Sequence, residues 1–382
     1  MAKLAWTIKY GATDITSKVM SMYITDGREK YLDPYPGGTL TLTINNASNY
    51  ASTMTYGSQI DVYTGTKFSQ YTQKFWVQEI TYEDYPGDTG LNTAIIRAVD
   101  ALGYLGRIYA NGTSLTQTGT GNQAYQFNTS AGGPVPSSIL TGSQYSGNSI
   151  ASSTTYNGTV LNRINLLVQT ERSVIFQSYS SPDNSAVGVT VRQRDNIALI
   201  PLNQITLGRT TSATQIAYQS FMRIQNGASF SNIATISPET VAAQTSTNTT
   251  SVATYGSAYY TASTVDATTT QASGNASWVA NTFSDPASLR FEIQFMDVAQ
   301  NSTALTTFME KSFANAQPYY TLSYTAPGGA STSVNVYAEG WNANVTPDQT
   351  TFTMFFSPLT YYQFFVLNSS TLGILNTSRL GW

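Results

Sequence analysis

The chain contains no cysteine and no histidine. The first absence excludes any disulfide scaffold; the two together exclude the usual zinc sites and the serine or cysteine triads that use a His base. Charge is scarce as well: Asp, Glu, Lys and Arg make up 10% of 382 residues, against roughly 25% in an average soluble domain. Net charge is -3, and Lys and Arg nowhere form a run, so a sequence-wide grip on nucleic acid is unsupported. The Gly119-Thr120-Gly121-Asn122 stretch lacks the Lys of a Walker-type phosphate loop. Calcium and magnesium need only oxygen ligands, but no Asp-rich loop of the EF-hand kind occurs. No apolar stretch approaches the roughly 20 residues needed to span a bilayer. The opening Met1-Ala2-Lys3-Leu4-Ala5-Trp6 has no apolar signal core. These readings predict synthesis in a cytoplasm, no membrane insertion and no cofactor. Heptads and short-period repeats are missing too, which argues against coiled coils, solenoids and propellers.

Ser, Thr, Asn, Gly and 26 Tyr fill the surface positions instead. Few charges mean little desolvation cost when flat faces associate, and Tyr supplies wide amphipathic contact. The composition suits a protein that sits against other proteins.

Along the chain, Thr39 to Ile44 alternates strictly, with Leu40, Leu42 and Ile44 on one face, and predicts a half-buried strand. It follows the Asp33-Pro34-Tyr35-Pro36-Gly37-Gly38 turn. Short apolar runs at Val19 to Ile24, Ile60 to Tyr63, Phe75 to Ile80 and Asn92 to Val99 complete a β-barrel or sandwich over residues 1–107. From Arg107 to about Thr155 the Gly/Ser/Thr/Gln-rich chain reads as a long connection over a surface. Apolar residues at helical spacing predict an amphipathic helix over Thr159 to Glu171, followed by strands at Val174 to Tyr179 and Val187 to Gln193. A third β-unit is expected from Phe221 to Ile224, Ile233 to Ile236, Arg290 to Met296, Tyr319 to Tyr324, Val334 to Ala338 and Thr351 to Phe356. Between them a Ser/Thr-rich excursion ends in a short helix near Ala276 to Phe283. Ser302 is expected to cap a helix with Leu305, Phe308, Met309 and Phe313 on one side. The fold class is therefore mainly β with a few short helices, an α+β multidomain chain.

Several segments resemble hub-type minor tail proteins of tailed bacteriophages. Ile24-Thr25-Asp26-Gly27-Arg28 through Leu32-Asp33, then Gly38-Thr39-Leu40-Thr41 to Asn45-Asn46, is similar to that family's opening. Phe75 to Ile80 and Ile95 to Leu102 look like its next strands, and Leu166 to Glu171 with Phe176 and Val189 to Arg192 like its helix-then-hairpin unit. Thr254-Tyr255-Gly256-Ser257 before Pro286, Glu339-Gly340-Trp341 with Val345-Thr346-Pro347, and the Arg379-Leu380-Gly381-Trp382 ending continue the order. Departures are Asn368 and Asn376, where the family commonly has Asp, and inserts near 111–155 and 240–270.

The resemblance implies a tail-hub architecture with two tail-tube-like β-barrel domains. The expected division is 1–107 as the first barrel, 108–217 as a helix-plus-hairpin domain, and 218–240 with 288–358 as a split second barrel. Residues 241–287 are then an inserted segment and 359–382 a C-terminal docking tail. It further implies a virion protein of the tail tip, not an enzyme, that forms a homotrimeric ring between the tail tube or distal tail protein, the tape-measure protein and a tail-tip fibre or spike, with DNA only passing through the lumen. A hexameric distal tail protein and a glycan-binding receptor-binding protein are the alternatives.

Glu171, Asp100 and Glu339 are considered as an acid/base set of the glycosidase kind, but solvated or capping roles are favoured. Asp26-Gly27-Arg28 reads as a turn, with Arg28 pairing Asp33. Tyr361-Tyr362 beside Phe364-Phe365 reads as core or subunit contact rather than a sugar platform. Phe364, Phe365, Leu372, Leu375, Leu380 and Trp382 are the predicted inter-subunit or partner contacts.

Overall fold

The structure is a computed structural model that describes residues 3–46, 48–64, 73–136, 144–147, 149–179, 187–192, 205–225, 230–286, 289–314, 319–326 and 328–361. Its first part is built of strands joined by turns and single 3-10 turns: β1 (Trp6–Tyr10), β2 (Thr13–Asp14), β3 (Val19–Gly27), β4 (Thr39–Asn45), β5 (Gln59–Thr64), β6 (Gln73–Glu83) and β7 (Thr93–Val99). In β4 the alternation does what the sequence predicts, burying Leu40, Leu42 and Ile44. The short helix α1 (Ala101–Leu105) follows, capped by the Asp100 carboxylate, which accepts from the Gly103 amide at 2.8 Å.

Next come β8 (Tyr109–Leu115), β9 (Thr118–Gly119), α2 (Thr120–Tyr125), β10 (Gln144–Tyr145), β11 (Ile150–Ala151) and β12 (Thr154–Thr159). The 107–155 stretch is therefore not a bare connection: β8 pairs antiparallel with β12, and Ala110, Leu115, Phe127 and Val135 join a core. Four widely spaced apolar residues were enough, a density too low to produce a readable period. Helix α3 (Val160–Glu171) starts where expected, with the Thr159 hydroxyl accepting from the Asn162 amide. Strands β13 (Val174–Tyr179) and β14 (Val187–Arg192) form the expected antiparallel pair.

The third part holds β15 (Thr206–Gly208), β16 (Gln215–Ala217), β17 (Ser220–Gln225), β18 (Ile233–Pro238), β19 (Gln244–Thr247), α4 (Thr249–Tyr255), β20 (Tyr259–Thr264) and α5 (Thr269–Thr282). It ends with β21 (Leu289–Met296), α6 (Ser302–Ala314), β22 (Tyr319–Thr325), β23 (Ser331–Val345) and β24 (Thr350–Pro358). Two neighbouring runs, Phe221 to Ile224 and Ile233 to Ile236, part company: β17 pairs with β21, whereas β18 sits between β19 and β20 in a separate three-stranded sheet covered by α5. Helix α5 begins at Thr269, seven residues before the expected Ala276, because Thr268 caps it and Ala272 and Ala276 are small enough to lie flat on β18 and β20. Helix α6 is capped by Asn301 and not by Ser302; the Asn301 side chain accepts from the Thr303 amide at 2.9 Å. Leu305, Phe308 and Met309 are buried as predicted.

Fourteen strands among the described residues form one sheet made of two halves of seven. One half runs β3-β4-β7-β6-β5-β1-β2; the other holds β16-β15-β22-β23 and β24-β21-β17. Neither half closes on itself through the strand pairs of the described residues. Strand β23 joins them. On one edge its first portion pairs with β22 and its last with β3, while β24 runs along the opposite edge. A single hydrophobic core spans both halves, from Ile8 and Leu42 to Phe295 and Phe356.

Candidate functional site

Between the portions of β23 that serve the two halves, the register slips by one residue at Glu339. A bulge of this kind re-aims a side chain, and here it turns Glu339 into the protein, where it is fully buried. Arg28 meets it from the end of β3. The guanidinium Nε donates to Glu339 Oε2 at 2.8 Å, and the Arg28 amide donates to the Glu339 carbonyl at 2.9 Å. Gly340 permits this approach: a Cβ there would stand 2.6 Å from the Asp26 carbonyl and 2.7 Å from the Arg28 backbone. In place of the expected Arg28–Asp33 ion pair, Arg28 Nη1 donates to the Asp33 backbone carbonyl at 3.2 Å and its Nε is taken by Glu339. Glu339 wins because it is buried, where an unpaired carboxylate costs far more than at the surface.

Aromatic rings enclose the pair. The Arg28 guanidinium lies 4.2 Å from the Tyr35 ring centre and 4.9 Å from that of Tyr31. Burial pushes the Tyr35 hydroxyl well above its ordinary pKa against the opposing pull of Arg28. Tyr337 is raised by the same burial, helped by the Glu339 charge. Helix α3 fixes the 31–36 turn through a two-way bond in which Asn165 receives the Tyr35 amide at 3.1 Å and donates to its carbonyl at 3.0 Å.

A second charged feature lies across three neighbouring strands. The register places Asp26, Gly38 and Asp100 side by side, and a Cβ on Gly38 would stand 2.8 Å from Asp100 Oδ2. The missing side chain leaves room for the two carboxyls to approach. Burial lifts Asp26 to about 6. Asp100 is raised well above the carboxylate range by burial and then by the Asp26 charge, against the amides that hold it. One proton is therefore kept on this pair at mildly acidic pH.

Two adjoining clefts, of about 290 and 690 Å³, open beside the joint and share Arg28, Asp33, Pro34, Tyr35, Asn162 and Asn165. The smaller continues past Leu166 and Gln169 to Arg172, the larger past Asp26 to Phe355. Arg172 closes the α3 C-terminus in the left-handed conformation, φ 55°. Its carbonyl accepts from the Tyr31 hydroxyl, and its guanidinium faces the Trp278 ring at 5.3 Å.

On the other face of α3, fully buried Arg163 ties three segments together. It donates from Nε and Nη2 to Gln123 Oε1 and from Nη1 to Glu239 Oε2 at 2.7 Å. Further along the same helix the Thr170 hydroxyl donates to the Leu166 carbonyl at 2.8 Å and accepts from the Val265 amide at 2.9 Å.

The three carboxylates weighed as an acid/base set each answer to separate partners. Asp100 caps α1, Glu339 holds Arg28, and Glu171 accepts from the Thr120 hydroxyl and the Ser149 amide, both at 2.8 Å. Tyr361 joins an aromatic group, 4.9 Å from Phe283 and 6.0 Å from Tyr31, in line with a core role. Phe364, Phe365, Leu372, Leu375, Leu380 and Trp382, with Tyr362, lie outside the described residues. Arg163, Arg172 and the Asp26–Asp100 approach were missed in the sequence, where single Arg or Asp residues carry no pattern. Gly38 between two predicted strand ends was the one available signal. Among the described residues no cluster of three or more acidic side chains offers a metal site, and no helix is long and apolar enough to cross a membrane.

No family model and no curated protein matches the sequence. Solved structures do. A tail protein from Neisseria meningitidis MC58 superposes with a TM-score of 0.60 at 10% identity, covering 94% of this chain and 97% of that one. The 43 kDa tail protein of prophage MuSo2 from Shewanella oneidensis gives 0.53 at 9% identity over 94% and 98%. The E. coli c3393 protein, described as a type VI secretion component with structural similarity to the T4 bacteriophage tail proteins gp27 and gp5, gives 0.52 at 8% identity over 92% and 76%. The fold, mainly β over almost the full chain, is thus that of phage tail proteins and their secretion-system counterpart.

Proposed function

We propose that this chain is a structural tail-hub protein, a ring-forming component at the distal end of a phage-type tail and not an enzyme. The observation that carries the reading is the joining of two seven-stranded halves through β23. Three such chains bring six halves into one ring, so one assembly can face a sixfold tube on one side and a threefold spike or fibre on the other. Each half is read as one tube-like domain: residues 1–107, and a split second unit that differs from the expected 218–240 with 288–358 by gaining β15 and β16 and losing β18, so that it takes in 205–225 with 289–358. The α3 unit and the β18–β20 unit pack beside them.

The partners that follow from this reading are further copies of the chain, a tail tube or distal tail protein, a tape-measure protein, and a fibre or spike. DNA passes the lumen without being held, in keeping with scarce and dispersed Lys and Arg. Residues 359–382 are read as a docking tail through Phe364, Phe365, Leu372, Leu375, Leu380 and Trp382. Removing 364–382 is expected to block particle assembly while leaving the monomer folded; a truncated chain that still enters particles counts against the tail's role.

Mass measurement of the purified protein and its copy number per particle test the hub reading. Three copies support it. Six copies shift the assignment to a distal tail ring, and a monomer with tight saccharide binding overturns it in favour of receptor recognition.

A further inference from the structure

The large sheet presents chemically opposite features at its two ends. At one end β6 and β7 extend into a hairpin whose residues from Tyr82 to Leu91 are all exposed. Tyr82, Tyr85 and Leu91 are 45, 41 and 58% accessible, and residues 80–96 hold three carboxylates but no Lys or Arg. Two of those carboxylates are engaged locally. Glu83 accepts from the Thr93 hydroxyl and bonds the Tyr85 hydroxyl, while Asp88 accepts from the Gly90 amide. Asp84, between the two tyrosines, has no hydrogen bond or ion pair among the described residues.

At the other end lies the smaller cleft, reached where β3 passes into Arg28. One wall is Arg172, 4% exposed, whose Nε and Nη2 have no hydrogen-bond acceptor among the described residues. These two donors share one edge of the guanidinium, the edge that receives both oxygens of a carboxylate. The Tyr35 hydroxyl, 1% exposed and lining the same cleft, is also without a hydrogen-bond partner among the described residues. Two acidic residues are near: Asp33 on the cleft wall, and buried Asp266, whose carboxyl feels the Arg172 charge; neither forms a hydrogen bond or ion pair with Arg172 among the described residues. Buried donors without acceptors are rare because they carry a standing cost. An arriving carboxylate removes that cost, drawing the guanidinium edge out against it. Tyr31, Leu32 and Leu166 give the cleft apolar walls for the residues beside such a carboxylate.

From these two ends we infer that the 82–91 hairpin of one copy docks in the Arg172 cleft of the next, with Asp84 as the carboxylate. Seven residues of β7 separate hairpin from cleft end, roughly 20 Å at strand rise, so the hairpin of a chain does not reach its own cleft. The contact is head-to-tail, the kind that builds rings or open strings rather than closed pairs. It does not depend on the ring size or the tail location proposed above.

Sedimentation of wild type, Asp84→Lys, Arg172→Gln and their equimolar mixture tests it. Wild type is expected to associate with concentration, and each variant alone to do so at least tenfold more weakly. The mixture is expected to yield dimers and nothing larger, because one intact hairpin still meets one intact cleft. A synthetic hairpin of residues 79–96 supplies a test that does not depend on the fold of Arg172→Gln: it should compete with wild-type association, and the same hairpin carrying Asp84→Lys should not. Unchanged association of Asp84→Lys, a wild type that stays monomeric, or equal competition by both hairpins overturns the inference.

Discussion

Phe352 and Arg163 are both fully buried, yet they hold their surroundings by different means. Phe352 lies among the rings of Trp6 from one half of the large sheet, Phe295 and Trp341 from the other, and Phe308 from α6. Around it the contacts are apolar and the strands alternate. Arg163 instead joins α3 to Gln123 and Glu239 by directed bonds, and near it Thr170, Asn275 and Asp266 continue a polar network into the β20 segment. The large sheet is thus cohesive wherever apolar area is shared, whereas the units around α3 depend on a few bonds being complete. Partial loss of such a network is costly out of proportion to its size.

Two substitutions break the comparison most directly. Phe352→Ala removes an aromatic side chain from the shared core and is expected to destabilise by about 3–5 kcal/mol, with both halves unfolding together in calorimetry. Two separate transitions would show that the halves do not share one cooperative core. Arg163→Ala strands Gln123 without its donor and leaves Glu239, one third exposed, partly unpaired. A loss of about 3 kcal/mol is expected, concentrated in the α3 and β18–β20 units. Amide exchange should therefore accelerate in α3 and β20 while β4 and β24 stay protected; uniform acceleration would refute the contrast.

This difference also decides what could be read from the sequence. In β4, β7 and β22 every second residue is apolar, the period of two survives, and the strands are legible. Helix α3 is legible for the same reason at period 3.6. Strand β19, all Gln, Thr and Ser, and helix α4, whose apolar residues Val252, Ala253 and Tyr255 are too few and too close to show a period, have nothing to read, and their positions follow from side-chain bonds such as those of Asn232 to Ser251 and Gly256. The site fared likewise: Glu339 and Arg28 are 311 residues apart, and a one-residue bulge that turns a carboxylate inward leaves no mark on the local pattern.

The Asp26–Asp100 approach sharpens the comparison inside the large sheet, as an ionisable pair buried at the cleft end of strands whose other ends share an apolar core. A carboxyl raised to about 6 in the folded chain binds its proton more tightly there than when unfolded. Its stabilising contribution is complete below the ordinary Asp value of 3.8, is lost as pH rises through about 6, and is absent at neutral pH. Asp26→Asn cannot titrate. At pH 7.5 it is expected to be more stable than wild type by about 1–3 kcal/mol, with the gap closing towards pH 4. A variant that is less stable than wild type at pH 7.5 would mean the carboxylate makes a favourable contact that its surroundings do not reveal.

The smallest expected effect comes from Thr159→Ala, and it separates local from network stabilisation within α3 itself. The Thr159 hydroxyl accepts from the Asn162 amide at 3.4 Å, a long cap bond on an exposed turn, so its removal is expected to cost about 1 kcal/mol or less. Arg163 lies one turn further along the same helix. If α3 is held chiefly by its own propensity and cap, the two substitutions should lower the melting temperature by similar amounts. If the bonds to Gln123 and Glu239 dominate, Arg163→Ala should cost several times more, and adding Thr159→Ala to it should contribute little, because the helix end would already have lost the tertiary support that makes its cap count. Thermal melts of the two single variants and the double variant distinguish these outcomes through the size of the non-additive part.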